Sequence, residues 1–246
     1  MGATDKFNLL FYVLDDGSTD ETYSVLESQP FPIKIIKGDG NLFWAKSMAK
    51  AEESIDYQPD GLLWVNDDLE LFPNAFENLF KSIQSHPRAV LVGQVVRKNT
   101  NEVIYGGYKS NRIHPLKLSL LNETQLDDPD TFNGNFVYIP AEIRLAVGPI
   151  NSFYSHAYAD CDYGYRVREL RYEIKLIPDY IGEGETNTVP KFKNKWVHIK
   201  FFYNKKNSLL DQFYFLSRFT NLKFKILIPI FLVIPLIKII VTKKKS

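Results

Sequence analysis

The stretch Gly61-Leu62-Leu63-Trp64-Val65-Asn66-Asp67-Asp68 decides the predicted fold of this chain. A short apolar run that stops on acids is typical of a buried parallel strand whose carboxyl end opens into a crevice. Ligands bind at that position in open α/β sheets. If the extended conformation continues through the acids, Asn66 and Asp68 share one face and can hold a hard divalent cation on a diphosphate. A solvated turn after the strand is the alternative interpretation.

Strand-forming runs on both sides of this stretch alternate with helical patterns. Before it, residues 8–14 and 33–37 have strand composition, and residues 43–55 suggest a helix. After it, residues 73–84 repeat apolar side chains at helical spacing, and residues 89–96 form another apolar run. Units of this kind predict an α/β fold with a right-handed, mostly parallel sheet that helices flank.

Polar turns follow the first two strands. Asp15 and Asp16 open the turn Asp15-Asp16-Gly17-Ser18-Thr19-Asp20. Its acids either complete a strand–turn–helix joint or accept hydrogen bonds from a nucleotide. The second turn, Gly38-Asp39-Gly40-Asn41-Leu42-Phe43-Trp44, either cradles a ligand at a helix N-terminus or is an ordinary glycine turn.

The second half of the chain contributes two further polar stretches. Asn133-Gly134-Asn135 comes directly before an apolar strand, and Asp160 and Asp162 stand at the start of a helix predicted to end near residue 171. Acids there are often only caps, and Asp162 has the i,i+4 spacing for a pair with Arg166. An acid that escapes such a pair and faces the crevice can act as a general base. His156 suits a structural hydrogen bond as well as a chemical role.

Composition and charge limit the possible function classes. The single cysteine, Cys161, is typical of a reducing compartment, and no signal peptide is recognisable, so we expect a cytoplasmic location. From residue 191 onward the chain has 13 Lys and Arg and one acid, whereas the first 190 residues have 17 basic and 28 acidic groups. An acidic body argues against nucleic-acid binding, and the basic tail favours an anionic partner.

The tail also has a wholly apolar run between lysines. Residues 226–237 span about 18 Å as a helix, against a hydrocarbon core of about 30 Å. We therefore expect residues 191–246 to form a helical, basic segment that lies at the inner face of the cell membrane, its lysines on anionic headgroups. Packing against its own domain, residues 1–190, or against another subunit is the alternative.

The two polar turns, Asn66-Asp67-Asp68, Asn133-Gly134-Asn135 and the stretch from Asp160 to Arg166 together resemble family 2 glycosyltransferases of the GT-A fold. The likeness is strongest to rhamnosyltransferase-like bacterial enzymes that build surface polysaccharides. It covers roughly residues 8–182, with the motifs in the family's order.

The resemblance implies an inverting, metal-dependent transfer from a nucleotide sugar to a saccharide or lipid-linked acceptor. It assigns Asp160 as general base and places Mg²⁺ or Mn²⁺ on Asp68, with Asn66 or Asp67. The residues that it places at the nucleotide sugar are Asp15, Asp16, Gly38, Asp39, Gly40, Asn41, Trp44 and Asp67. Those that it places at the acceptor or sugar are Asn133, Gly134, Asn135, His156 and Asp162.

The chain also departs from the family pattern. Asn66 stands where relatives have Asp, and Ile181-Gly182-Glu183-Gly184 stands where many have a metal-binding His. Relatives begin with a strand and a helix ahead of the Asp-Asp-Gly-Ser strand, so we expect that this chain lacks one βα unit and has impaired activity. The rival hypotheses are a GT-A remnant that only binds sugar nucleotide and a membrane-associated scaffold. A nucleotidyltransferase is disfavoured because no Gly-rich, basic phosphate loop follows the first strand.

Overall fold

The computed structural model describes residues 7–111, 113–121, 128–186, 195–202 and 208–241. Its strands are, in chain order, β1 (Phe11–Asp15), β2 (Ile33–Lys37), β3 (Gly61–Val65), β4 (Leu69–Leu71), β5 (Ala89–Arg97), β6 (Val103–Tyr105), β7 (Gly107–Ser110), β8 (Leu118–Leu120), β9 (Thr131–Phe132), β10 (Phe136–Pro140) and β11 (Glu173–Gly184). Its helices are α1 (Thr22–Glu27), α2 (Phe43–Glu53), α3 (Ala75–Ser85), α4 (Ala141–Val147), α5 (Ala159–Glu169), α6 (Lys195–Phe202), α7 (Leu209–Phe219) and α8 (Ile228–Val241), with a 3-10 helix at Leu222–Leu227.

The central sheet has six strands in the order β3-β10-β5-β11-β4, and β6 pairs with β5 as well. The α/β class is confirmed, but the sheet is mixed and not mostly parallel. Strand β5 is parallel to β11, whereas β10 is antiparallel to both β3 and β5. The antiparallel direction of β10 follows from the connection between β5 and β10, which passes through β6 to β9 beyond the carboxyl end of β5. Strand β10 therefore enters the sheet at that end and runs antiparallel to β5.

Side chains of β5 alternate between the two faces of the central sheet. Val90 and Val92 belong to an apolar cluster with residues of α2, α4, α5 and α7. Leu91 and Val95 belong to a second cluster, which contains residues of α3. This alternation is the period of an extended strand, and burial on both faces explains why most residues of β5 are apolar.

Strands β1 and β2 form a separate, parallel two-stranded sheet. Within the described residues, neither strand pairs with the central sheet. Helix α2 contacts β1 and buries Ala45 and Ala49 in the same cluster as Trp64 of β3, so it bridges the two sheets. On the other face, Phe7 packs edge-on against Phe76 of α3. Strand β1 and the residues just before it are thus held by α2 on one face of the central sheet and by α3 on the other.

The C-terminal helices begin with a segment that packs into the body of the protein. Phe215 of α7 is buried in the cluster that contains α2 and α5, and Leu216 is buried beside it. The predicted domain boundary at residue 190 lies outside the described residues. In the described part of the chain, no helix combines the length and apolar character that crossing a membrane requires. Helix α8 has 14 residues, about 21 Å.

Candidate active site

The turn after β1 holds the loop after β2 through one carboxylate. Asp16 Oδ1 accepts the N–H of Gly40 at 2.9 Å, and Oδ2 accepts the N–H of Leu42 at 2.9 Å and of Phe43 at 3.2 Å. These amides precede and open α2, where unpaired N–H groups favour a negative charge. Gly40 has φ +81°, a conformation that glycine adopts without strain. Asp16 therefore fixes the shape of the loop that was predicted to meet the nucleotide sugar.

The other acids of these turns differ in exposure. Asp15 is buried, and its Oδ1 accepts the Ser18 N–H at 2.9 Å. Hydrogen bonding from Ser18 holds the pKa of Asp15 below its usual value. Asp39 and Asn41 are exposed, and the Asn41 N–H donates to Asp39 Oδ1 at 2.9 Å. Gly38 lies so close to Asp16 that a Cβ would collide with its carboxylate.

The tip of β3 differs from its prediction. The period-two argument required the extended conformation to continue through the acids, but β3 ends at Val65 and Asp67-Asp68 form a turn that leads into β4. That condition is not met, because β4 turns back to pair with β11, and the alternative of a turn after the strand describes this position. Both acids are exposed in this turn.

Asn66 joins three motifs. Its Oδ1 accepts the indole N–H of Trp44 at 2.8 Å, and its Nδ2 donates to Asn135 Oδ1 at 2.7 Å. Its backbone N–H donates to the Asn135 carbonyl at 3.0 Å. An Asp at this position has no side-chain N–H to donate to Asn135 Oδ1, so this part of the network uses the carboxamide of Asn66. The prediction that Asn66 binds a metal stays untested.

The turn at residues 133–135 reaches from Asn66 to Asp160. The Gly134 N–H donates to Asp160 Oδ2 at 3.0 Å, while the Cys161 N–H donates to Oδ1 at 2.8 Å. Asn133 Oδ1 accepts the Asn135 N–H at 3.2 Å, which shapes the turn. A Cβ on Gly134 would come within 2.5 Å of the Trp44 ring. Glycine is therefore required by the close approach of Trp44.

Burial raises the pKa of Asp160, against the opposing effect of the N–H groups of Cys161 and Gly134. A carboxylate with a raised pKa is a stronger base than one with an ordinary pKa. Cys161, buried beside it, has a pKa raised well above its usual value by burial, so it is a neutral thiol.

The last two predicted site residues lie on either side of Asp160. His156 Nδ1 accepts the backbone N–H of Trp44 at 3.4 Å, which places it beside the start of α2. Asp162 is fully buried; its Oδ1 accepts the Tyr154 hydroxyl at 3.2 Å and its Oδ2 pairs with Arg166 at 2.7 Å. The predicted pair with Arg166 is confirmed. Contact between Asp162 and an acceptor stays a prediction, and its observed partners are all within the protein.

Two strained backbone positions flank this network. Phe43, the first residue of α2, has φ 56°, and Tyr158, which precedes α5, has φ 74°. Bulky residues with positive φ cost energy and cluster at functional sites. The sequence contains no signal for either conformation, because neither residue is a glycine or an asparagine.

The residues present fit a divalent cation of the Mg²⁺ or Mn²⁺ type. Such ions take carboxylate oxygens and often bind through one or two carboxylates plus substrate phosphates. Asp67 and Asp68 offer exposed carboxylates in one turn at the carboxyl edge of the sheet. The described residues contain no group of three or more His, Cys, Asp or Glu able to hold a metal alone. Phosphate oxygens would have to complete the coordination.

The fold and this arrangement define the class. Over 88% of its length the chain is similar to the solved structure "Crystal structure of GalNAc-T7 with UDP, GalNAc and Mn2+", with a TM-score of 0.57 and 12% sequence identity. At that identity the likeness shows the fold, a GT-A-like α/β fold. The chain spans 47% of that chain's length.

The chain belongs to the glycosyl transferase family 2, whose family model matches residues 5–141. The comparison with curated protein sequences gives no match. The matched range includes the turn after β1, the turn after β3 and the turn at residues 133–135. Asp160 and the C-terminal helices lie beyond it.

Proposed function

We propose that this chain transfers a sugar, with inversion, from a nucleotide-sugar donor to a saccharide or lipid-linked saccharide acceptor in bacterial surface-polysaccharide synthesis. The observation that carries the proposal is the turn at residues 133–135. Asn135 accepts a hydrogen bond from Asn66 at the tip of β3, and the residue before it, Gly134, donates one to Asp160. The turn thus links Asn66, the residue before the acids Asp67 and Asp68, to the partly buried carboxylate of Asp160, which supports a shared site.

In this mechanism, Asp160 accepts the proton of an acceptor hydroxyl as the hydroxyl oxygen attacks the anomeric carbon. The bond from that carbon to the diphosphate oxygen breaks, and the nucleoside diphosphate leaves from the opposite face. A divalent cation held by Asp68, with Asp67 or Asn66, would offset the charge of the leaving diphosphate. The loop after β2, whose amides donate hydrogen bonds to Asp16, would lie along the donor. The residues that would contact the donor are Asp15, Asp39, Asn41 and Trp44.

A screen of UDP-, GDP- and dTDP-sugars, each with and without Mn²⁺, tests donor binding through the unfolding temperature. A ligand at 100 times its dissociation constant adds about 2.7 kcal/mol of stability. We expect one nucleotide class to stabilise the chain only with Mn²⁺ and to support transfer in a turnover assay. Stabilisation by no nucleotide sugar would overturn the proposal. Binding without any turnover would favour the rival hypothesis of a protein that only binds sugar nucleotides.

We also propose that the fold accepts one more strand beside β1. In the described residues β1 pairs only with β2, and β3 only with β10, which leaves an open edge on each. Open edges expose unpaired N–H and C=O groups. Helix α2 bridges both strands and could cover a strand placed between them. We expect that adding the βα unit of about 25–35 residues that family members have at this position raises the unfolding temperature and donor affinity. No change in either would contradict this proposal.

We further propose that the C-terminal segment contacts an anionic membrane surface. Leu222 and Ile226 are 82% and 84% exposed, and Lys223 and Lys225 are exposed between and beside them. Ile230, Val233 and Ile237 of α8 are also exposed apolar side chains. Apolar side chains interleaved with lysines are typical of helices that lie in the interface of an anionic bilayer.

A further inference from the structure

Helix α7 presents one face to the segment that carries Asp160. Asp211, Phe215 and Arg218 follow one another at spacings of four and three, so they lie on the same face of the helix. The facing segment, residues 155–162, runs from the loop at His156 into the first turn of α5. Its contact residues, Ser155, Tyr158 and Asp162, have spacings of three and four. The two runs therefore meet at three levels.

The first level is a hydrogen bond to the start of the segment. The backbone N–H of Ser155 donates to the Asp211 carboxylate, which is only 3% exposed. The Ser155 carbonyl accepts the N–H of Ala45 at 3.3 Å, so the same residue is also tied to α2. Asp211 Oδ2 has no hydrogen-bond partner among the described residues. The hydroxyl of Ser208, the N-cap of α7, also bonds to the Asp211 side chain, so Asp211 joins the start of α7 to Ser155.

The second level is aromatic and the third is ionic. The Phe215 ring, fully buried, lies with its centroid 5.7 Å from that of Tyr158, the strained residue before α5. Arg218 Nη1 lies 3.5 Å from Asp162 Oδ1, on the acid that also pairs with Arg166. Asp160 stands between Tyr158 and Asp162. Both flanks of the carboxylate are thus held from α7.

We propose that α7 is a positioning helix for Asp160, with Asp211 and Arg218 as its positioning residues. The inference rests on the proposed function, because Asp160 acts as a base only if the chain transfers a sugar. The Tyr158 conformation needs support from its surroundings, since a bulky residue with positive φ relaxes when neighbours release it. Misplacement of a base by about 1 Å can cost about 10²-fold in rate. The residues predicted to contact the donor lie on or next to the turns after β1, β2 and β3, outside α7 and outside residues 155–162.

Steady-state kinetics of Arg218→Met, Arg218→Lys and Asp211→Ala in the full chain test the proposal, with Ser217→Ala as the matched control on the same helix. The Ser217 hydroxyl bonds to the Tyr214 carbonyl within α7, away from residues 155–162. We expect Arg218→Met and Asp211→Ala to lower kcat by about tenfold or more while the donor KM stays unchanged. Arg218→Lys should recover most of the loss, and Ser217→Ala should match the original chain.

The results that would overturn the proposal are specific. One is an unchanged kcat in Arg218→Met. The other is a loss of kcat that is equally large in Arg218→Lys and that is proportional to the fall in unfolding temperature. Hydrogen exchange of the backbone amides of residues 155–162, measured in the same variants, reports how firmly this segment is held and does not require sugar transfer. If the original chain transfers no sugar, the proposed function fails. Exchange that is no faster in Arg218→Met than in Ser217→Ala then refutes the positioning role as well.

Discussion

Single side chains decide the chemistry at the tip of β3. Asn66 uses both ends of its carboxamide, one toward Trp44 and one toward Asn135. Asp16 uses both oxygens on the amides of the loop after β2. Both residues had been predicted to touch metal or donor, and their observed bonds are internal. The carboxylates of Asp67 and Asp68 are exposed.

Asp160→Asn should remove the general base and lower kcat by about 10²–10⁴-fold. Donor affinity should not change, because the donor contacts are elsewhere. Glu169→Gln, an exposed acid at the end of the same helix, is the control and should keep wild-type kcat. Initial rates and donor titration measure both quantities. A variant Asp160→Asn with wild-type turnover would contradict the assignment.

The same residue sets the pH dependence. Burial raises the pKa of Asp160, so the active, ionised form is lost at a higher pH than for an ordinary Asp, about 3.9. As pH falls through this raised pKa, kcat should fall, and above it kcat should be level. An acidic limb centred at the ordinary Asp value would be inconsistent with a buried base.

Asp68→Ala should weaken metal and donor binding together, by about tenfold or more, because the diphosphate reaches the protein through the cation. Glu70→Ala is the matched control, since it removes a carboxylate from the next strand, where it pairs with Lys98 at 3.0 Å. Calorimetric titration of Mn²⁺ and of the donor distinguishes the two variants. Equal losses in both would indicate a general charge effect and not a metal ligand.

At the scale of elements, the site depends on short turns that meet at the carboxyl edge of the sheet. The turn at residues 133–135 enters β10 and touches both Asn66 and Asp160, while Trp44 packs over Gly134. Helix α2 starts at this point and α5 lies opposite it. The close packing of Trp44 on the turn explains why a glycine separates the two asparagines.

Gly134→Ala should displace Trp44, because the new Cβ would come within 2.5 Å of the indole ring. Overpacking of this kind costs about 1–3 kcal/mol, or roughly 2–12 °C in unfolding temperature for a chain of this size. Activity should fall as well, since Asp160 bonds to the same turn. Gly148→Ala is the control: φ is +82° there, but a Cβ meets nothing within 4 Å. Its cost should be limited to backbone strain, with activity retained.

At the scale of the whole molecule, the charge and the exposed apolar side chains are concentrated at the C-terminal end. Residues 191–246 contain 13 Lys and Arg and are therefore strongly basic, whereas the first 190 residues carry a net negative charge. The 3-10 helix and α8 leave Leu222, Ile226 and Ile230 exposed, whereas α7 packs into the core. The segment thus has an inner part, next to the active site, and an outer part that is open to a partner.

Vesicle sedimentation tests the outer part. We expect the chain to bind vesicles that contain anionic lipid, to bind neutral vesicles weakly, and to dissociate as salt rises. The double variant Leu222→Ser, Ile226→Ser should bind at least about tenfold less, since each buried Leu or Ile contributes about 1.5–3 kcal/mol. Leu145→Ser, an equally exposed leucine on α4, should bind like the original chain. Equal binding to neutral and anionic vesicles would contradict the electrostatic part of the proposal.

Local sequence signals determined the class of fold and most of its elements. Alternating apolar runs and helical periods predicted β2, β3, β5 and α3 with accurate positions, because burial on two faces and amphipathic spacing leave a direct pattern in the chain. The polar turns and the Asp162–Arg166 pair were also predicted. All of these depend on neighbours within a few residues.

Only the tertiary structure decided which of those polar residues form hydrogen bonds to distant parts of the chain. Asn66 meets Trp44 and Asn135, and Asp211 meets Ser155, across separations of 22, 69 and 56 positions, and no local pattern encodes such pairs. The antiparallel entry of β10 and the separation of β1 from the central sheet are likewise consequences of where distant strands pair. Hydrogen-bond partners are chosen by proximity in space, which the order of residues along the chain does not specify.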